Sequence, residues 1–372
     1  MTDAATLLWT DAAWGASAAR AASRFTTVRD AAAARADLGD VGVQFLACAG
    51  AVGGAVDDTV WWEPRAYWWA RTAEAALTAG DLAAVLARFP DDVLAADGRA
   101  DAEIPVARCG DYRVRVAAEP LAVPDWELVG PALAAGPAYH AAHVGLVEDT
   151  LATLASAVPD TFDAFCRIIR VIGLKPRDAG GYDDFSNPEL PGSFVASVRP
   201  EPTVLADHFV HELQHNKLSF VEELGALFDD TRPSGRCYSP WRDDHRSPYG
   251  VFHGVYVFLG VHDYWRSIDA QDLGADRGAY ARDQVARIPL QLDLAVEVLQ
   301  RQALLTPFGA AILVELAAAV DRVRADTELD PTEVPAYVAL EAEGGFERQR
   351  AHDDGRPLSV RDAVDEHLAR HG

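Results

Sequence analysis

The chain has 372 residues, 49% of them hydrophobic, and a formal net charge of −24. That is enough apolar chain to bury a large core in one large or two ordinary domains. The acidic balance argues against a nucleic-acid partner, because phosphate binding wants a basic face, and no apolar run reaches the ~18 residues of a membrane span.

Basic residues are nearly all Arg, with Lys only at Lys175 and Lys217. The four Cys (Cys48, Cys109, Cys166, Cys237) form no C-x-x-C and read as reduced thiols. The N-terminus has no charged segment followed by an apolar one. Together these predict a soluble, cytoplasmic protein.

Residues 1 to about 130 predict a mostly helical first region with a β-hairpin, a candidate for docking a peptide. Ala16–Ala34 is one helical stretch; Ala66–Phe89 is another, turned at Gly80-Asp81. Trp61, Trp62, Trp68 and Trp69 cluster before and inside it. They read as packing where two helices cross, with an aromatic wall for a peptide as the alternative. Ile104–Ala118 alternates about Gly110-Asp111, a hairpin signal. Val129–Pro137, bearing Gly130-Pro131 and Gly136-Pro137, reads as a connector. It puts a domain boundary near 130 and leaves 131–372 as a metal-binding catalytic domain with C-terminal helices.

A helical pattern runs from His140 to about Val158, and another covers Phe162–Ile169. Ile168–Leu174 is a β-branched strand candidate, and Asp178–Pro191 reads as loop. Gly192–Val198 alternates like a strand, with Ser193 and Ser197 on one face as candidate pocket liners or an ordinary solvent side. After Pro200 and Pro202 the chain carries no Pro or Gly from Val204 to Leu224, which predicts a helix. Tyr238–Gly250 is a Pro- and Gly-bearing loop dense in Arg, His and Trp, a place from which a site draws polar groups. Val251–Trp265 is apolar nearly all round and predicts a buried helix. Asp276–Leu304 is helical with Pro289 as a kink or break, Pro307–Ala325 is helical, and a polar helical tail follows. The fold class expected is mostly α with minor β (α+β), helix-rich, with a metal site between two core helices.

The long helix after Pro202 holds His211-Glu212-Leu213-Gln214-His215, an H-E-x-x-H match. Residues four apart share a helix face, so two imidazoles can grip one ion, with Glu212 beside them as base or outer-shell partner. His208 is an added imidazole read as outer shell or surface. The third ligand decides the class. Leu218 and Val221 stand where a metzincin needs Gly and His, which excludes that reading. A gluzincin would need a Glu from a later helix, such as Glu297.

His253 is the better candidate, because an imidazole at the start of an apolar helix is costly without a partner. His245 and His262 are alternatives. Arg246, seven residues ahead of His253, suits bidentate capture of a carboxylate; Arg242 beside Trp241 is the other choice. A peptidase would hold a C-terminal carboxylate this way, and an iron oxygenase the far carboxylate of 2-oxoglutarate.

The H-E-x-x-H motif, followed by Trp241, Arg242, Arg246, Pro248, Gly250, His253, Gly254 and Phe258, resembles a family of H-E-x-x-H proteins associated with ribosomally made peptide natural products. These are regarded as 2-oxoglutarate-dependent peptide β-hydroxylases. The similarity is specific from about Ala206 to Trp265 and compositional elsewhere. It implies Fe(II) held by His211, His215 and His253, 2-oxoglutarate anchored by Arg246, O2 as oxidant, and β-hydroxylation of a side chain in a precursor peptide. Glu212 then has no obligatory base role and is expected to fix geometry. The alternative is a zinc metallopeptidase trimming a precursor or leader, with Glu212 activating the metal-bound water. A non-catalytic peptide-binding protein is the third reading.

Overall fold

The structure is a computed structural model. Its described residues run from 4 to 326, except 10–11, 36–37, 39–40, 42–45, 47–63, 80–81, 88–103, 124–126, 180–183, 230, 232–234, 238, 242–245, 269–272, 274 and 303. Cys48, Trp61, Trp62, the Gly80-Asp81 turn, Gly180-Gly181, Arg242, His245 and the C-terminal tail therefore lie outside the described residues. The protein is helix-rich with one small sheet, an α+β fold, as expected from the sequence. Among the described residues no helix is long and apolar enough to cross a membrane. The backbone divides into two compact units, Thr10–Leu224 and a second made of Met1–Trp9 with Gly225–Gly372.

The Thr10–Leu224 unit begins with helices α2 (Ala12–Ala33), α3 (Pro64–Ala79) and α4 (Leu82–Ala87). Trp68 and Trp69 of α3 are buried against Phe25 and Val28 of α2 and Leu82 and Leu86 of α4. The Trp69 indole N–H donates to the Val85 carbonyl at 3.0 Å. For these two residues the aromatic cluster is helix packing.

The sheet follows the order β1-β2-β3-β5-β4, with β1 (Val106–Cys109), β2 (Tyr112–Val116), β3 (Val171–Lys175), β4 (Asp184–Phe185) and β5 (Ser193–Ser197). β1 and β2 form the expected hairpin: Cys109 pairs with Tyr112 across Gly110-Asp111, and Gly110 takes φ 58°. β2, β3 and β5 run parallel, while β4 adds antiparallel to β5, pairing Asp184 with Ala196.

Between β2 and β3 lie α5 (Gly130–Ala142), α6 (Val144–Ala157) and α7 (Pro159–Ile168). The stretch expected as a connector is thus helical from Gly130, bent where Gly136 takes φ 76° ahead of Pro137. The single pattern from His140 is two helices, separated at His143. His140 is a satisfied core residue: Leu174 N–H donates to its Nε2 at 3.1 Å, so the Nδ1 proton goes to the Gly136 carbonyl at 2.8 Å.

β5 is buried along its whole length, because it is an inner strand and both faces of the sheet are covered. Ser193 therefore has no solvent side; its hydroxyl donates to the Leu190 carbonyl at 2.7 Å. One face of the sheet meets the long helix α8 (Pro202–Glu222) through Phe194, whose ring lies 5.1 Å from Phe209 and 6.2 Å from Phe165. Burial of each such ring contributes about 2–3 kcal/mol. On the other face Val171 and Val195 pack against Ala118, Leu121, Val129 and Ala132.

The second unit holds α1 (Ala4–Trp9), α9 (Pro248–Ser267), α10 (Ala275–Gln302) and α11 (Pro307–Asp326). α9 starts at a Pro after Ser247, whose hydroxyl accepts from Gly250 N–H at 3.3 Å. α10 continues through Pro289, read from the sequence as a kink or break, without a break, since its packing along α9 outweighs one lost backbone bond. The segment after Gly225 pairs with the start of α11: Asp229 N–H donates to Leu304 O at 2.8 Å, and Thr306 N–H to Leu227 O at 3.0 Å.

Candidate metal centre

α8 carries the motif in the way its spacing predicts. His211 and His215 stand one turn apart, half-buried, with ring centroids 4.9 Å apart and Nε2 atoms 3.2 Å apart. Two nitrogens about 2.1 Å from one ion would be about 3.0 Å apart at a right angle and about 3.4 Å at the tetrahedral angle. The pair therefore fits an octahedral or a tetrahedral ion. Burial, reinforced by the charge of His208, pushes His211 down to about 4, which keeps it neutral as a ligand must be.

The flanking strand fixes what lies around the pair. Asp184 and Ser186 alternate with Phe185, so both side chains reach α8 while Phe185 joins the opposite core. Asp184 accepts from His208 Nδ1 at 2.7 Å, from Ser197 N–H at 2.8 Å, and from both Arg199 Nη atoms at 3.0 Å. Burial alone would raise this carboxyl; the hydrogen bonds and charges of His208 and Arg199 outweigh it and hold Asp184 at about 2. An ionised Asp184 accepts only, so His208 Nδ1 carries the shared proton.

Ser186 Oγ donates to Glu212 Oε2 at 2.5 Å and accepts from Asn216 Nδ2 at 3.2 Å. The same amide donates to the carbonyls of Ser193 at 3.1 Å and Glu212 at 2.9 Å, and its oxygen accepts from Gly192 N–H at 2.6 Å. Glu212 is buried, and burial, then the charge of Asp184, pushes it up to about 8, against the pull of Ser186 and Arg199.

The remaining candidates lie on other elements. His253 is buried in the second turn of α9, with the Tyr249 ring centroid 4.3 Å from its own. Arg246 is held by a two-way backbone bridge to Cys237, with N···O distances of 2.7 and 2.9 Å, immediately before the cap of α9. Trp241 stacks on Phe258 at 4.7 Å and 1°, and a Cβ on Gly254 would come within 2.4 Å of its ring. Three residues of the sequence resemblance, Trp241, Gly254 and Phe258, thus form one packing unit. His262 is fully buried and pushed to about 4 by burial, then by the charge of Arg266. Glu297 pairs with Arg301 on the surface of α10, an ordinary i,i+4 ion pair.

Within the Thr10–Leu224 unit the structure brings together His211, His215, Glu212 and His208; His253 and Arg246 belong to the other unit. Among the described residues no group of three His, Cys, Asp or Glu side chains is set to hold a metal. The sequence reasoning missed Asp184, Ser186, Asn216 and Tyr249. Asn216 follows His215 directly, and Asp184 and Ser186 show a strand's alternation, but Gly and Pro around them read as loop. No protein-family model and no curated protein matches the chain.

Proposed function

We propose that the protein is an Fe(II)- and 2-oxoglutarate-dependent hydroxylase that acts on a side-chain β-carbon of a ribosomally made precursor peptide. The observation that carries the choice is the environment of Glu212. Its carboxylate accepts from Ser186, at the end of a one-way chain that runs Gly192 N–H, Asn216, Ser186, Glu212. A residue tied into the sheet in this way suits the orientation of a helix better than the activation of a metal-bound water, which a zinc peptidase requires.

In this reading His211, His215 and His253 hold the iron, and Arg246 holds the far carboxylate of 2-oxoglutarate, with Arg242 as the alternative. The bound iron and cosubstrate supply the oxidising power that places one atom of O2 on the peptide and the other in succinate, with release of CO2. The chain's own part is to offer neutral imidazoles, to keep Glu212 from the metal, and to fix the carboxylate anchor in a braced loop.

Glu212→Gln tests the choice. Gln retains an oxygen that can accept from Ser186, so a hydroxylase keeps a measurable fraction of its 2-oxoglutarate turnover. Complete loss, with metal still bound, would favour the peptidase.

A further inference from the structure

His262 lies in the last two turns of α9 and is 0% exposed, and among the described residues neither ring nitrogen has a hydrogen-bond partner. Such a group is rare in a folded interior, because the imidazole loses its contact with water and gains no polar partner in exchange. The ring faces α10: the Val285 carbonyl acts on it from that helix without reaching hydrogen-bond geometry. Three residues on, Trp265 is also buried, and its ring meets Tyr280 of α10 edge-on at 5.2 Å. A neutral His262 is therefore part of the seam along which α9 and α10 close.

The charges around the ring do not favour a second proton. Asp263 Oδ1 lies 4.0 Å from Nδ1, beyond hydrogen-bond reach, on a side chain 61% exposed. Arg266, one turn on, adds repulsion and is drawn towards Asp326 of α11 at 3.7 Å. Beside Val285, α10 brings Gln284, buried and uncharged, with Arg282 exposed and Arg287 half-buried as the described cations of that stretch. α1, Ala4–Trp9, carries no charged side chain. Burial, then Arg266, holds the folded imidazole at about 4, against an ordinary 6.5. The unfolded chain takes up this proton first. Stability is thus fully present above pH 6.5 and is lost as pH falls from 6.5 towards 4.

We propose that His262 is an acid-sensitive lock within the unit formed by Met1–Trp9 and Gly225–Gly372: neutral, it lets α9 close on α10, and on taking a proton it parts the two helices so that water reaches the ring. The lock is independent of the reaction proposed above.

The test is hydrogen–deuterium exchange of the full-length protein at pH 7.5 and pH 5.0, corrected for intrinsic rates and read by mass spectrometry on peptides of α8, α9 and α10. In the wild type, protection of α9 and α10 is expected to fall about 10- to 30-fold at pH 5.0, as a ring held at about 4 instead of 6.5 implies. His262→Leu, which fills the site without a nitrogen, and His262→Gln, polar but uncharged, are expected to lose less than about threefold. The α8 peptides are the reference, because His211 of the other unit titrates over the same range. Equal protection of wild-type α9 and α10 at the two pH values overturns the lock. So does a fall of the same size in wild type and in either variant. Should the variants fail to fold, the wild type decides alone: a fall in α9 and α10 no larger than that in α8 overturns the lock as well.

Discussion

Ser186 Oγ donates to Glu212 Oε2 across 2.5 Å, joining a two-residue edge strand to the middle residue of the H-E-x-x-H motif. The hydroxyl also accepts from Asn216, whose amide keeps the Ser193 and Glu212 carbonyls, so removing it leaves the buried Glu212 side chain short of a partner. Ser186→Ala is predicted to cost about 1–3 kcal/mol, read by urea unfolding of the metal-free protein. A cost near zero would mean that the chain of bonds is not what seats Glu212.

Asn216 is the joint of the same network. It is buried and serves Gly192, Ser193, Ser186 and Glu212 with one amide. Asn216→Ala is expected to cost about 3 kcal/mol, and Asn216→Asp nearly as much, because a carboxylate cannot donate to the Ser193 carbonyl. An Asp variant as stable as wild type would contradict the assignment of the amide nitrogen.

Asp184 makes stability depend on acid. Its folded value of about 2 lies below the ordinary 3.8, so its contribution is fully present above pH 3.8 and is lost as pH falls towards 2. The gap corresponds to about 2 kcal/mol. Asp184→Asn should start less stable, because it removes the carboxylate that the buried Arg199 guanidinium is paired with, and should then fall less steeply between pH 5 and pH 2. Parallel acid limbs for the two proteins, in melts across that range, would count against the pairing.

Two glycines allow close approach and differ in what stands opposite. A Cβ on Gly254 would come within 2.4 Å of the Trp241 ring, whereas one on Gly309 would come within 2.0 Å of the Leu227 carbonyl oxygen. A side chain can shift and paired backbone cannot. Gly254→Ala is predicted to cost about 1–3 kcal/mol, and Gly309→Ala more. The order of their melting temperatures checks this; the reverse order would contradict it.

Much of this was legible in the sequence because it rests on local spacing. The i,i+4 rule alone set His211 beside His215, the Gly110-Asp111 turn set the hairpin, and the apolar run from Val251 to Trp265 announced the buried body of α9. What escaped was non-local. The alternation of Asp184 and Ser186 about Phe185 is too short to outweigh the Gly and Pro around it; β4 exists because β5 offers it an edge. The serines of β5 read as pocket liners or a solvent side because they alternate, yet packing on both faces of the sheet buried them. Pro289 read as a kink or break, and that the helix runs on through it was not legible, because local propensity takes no account of the packing of α10 on α9.

In the proposed reading Arg246 is the anchor of the cosubstrate. Arg246→Ala is expected to raise the 2-oxoglutarate KM at least tenfold, as loss of a bidentate ion pair costs about 1.5–3 kcal/mol. An unchanged KM moves the anchor to Arg242 or elsewhere.

The most direct measurement is incubation of the full chain with Fe(II), ascorbate, 2-oxoglutarate and candidate precursor peptides from neighbouring genes, followed by mass spectrometry of each peptide and assay of succinate. The account predicts a gain of one oxygen atom in the peptide, with succinate formed in step and both lost in His211→Ala. Peptide fragments without succinate would contradict it.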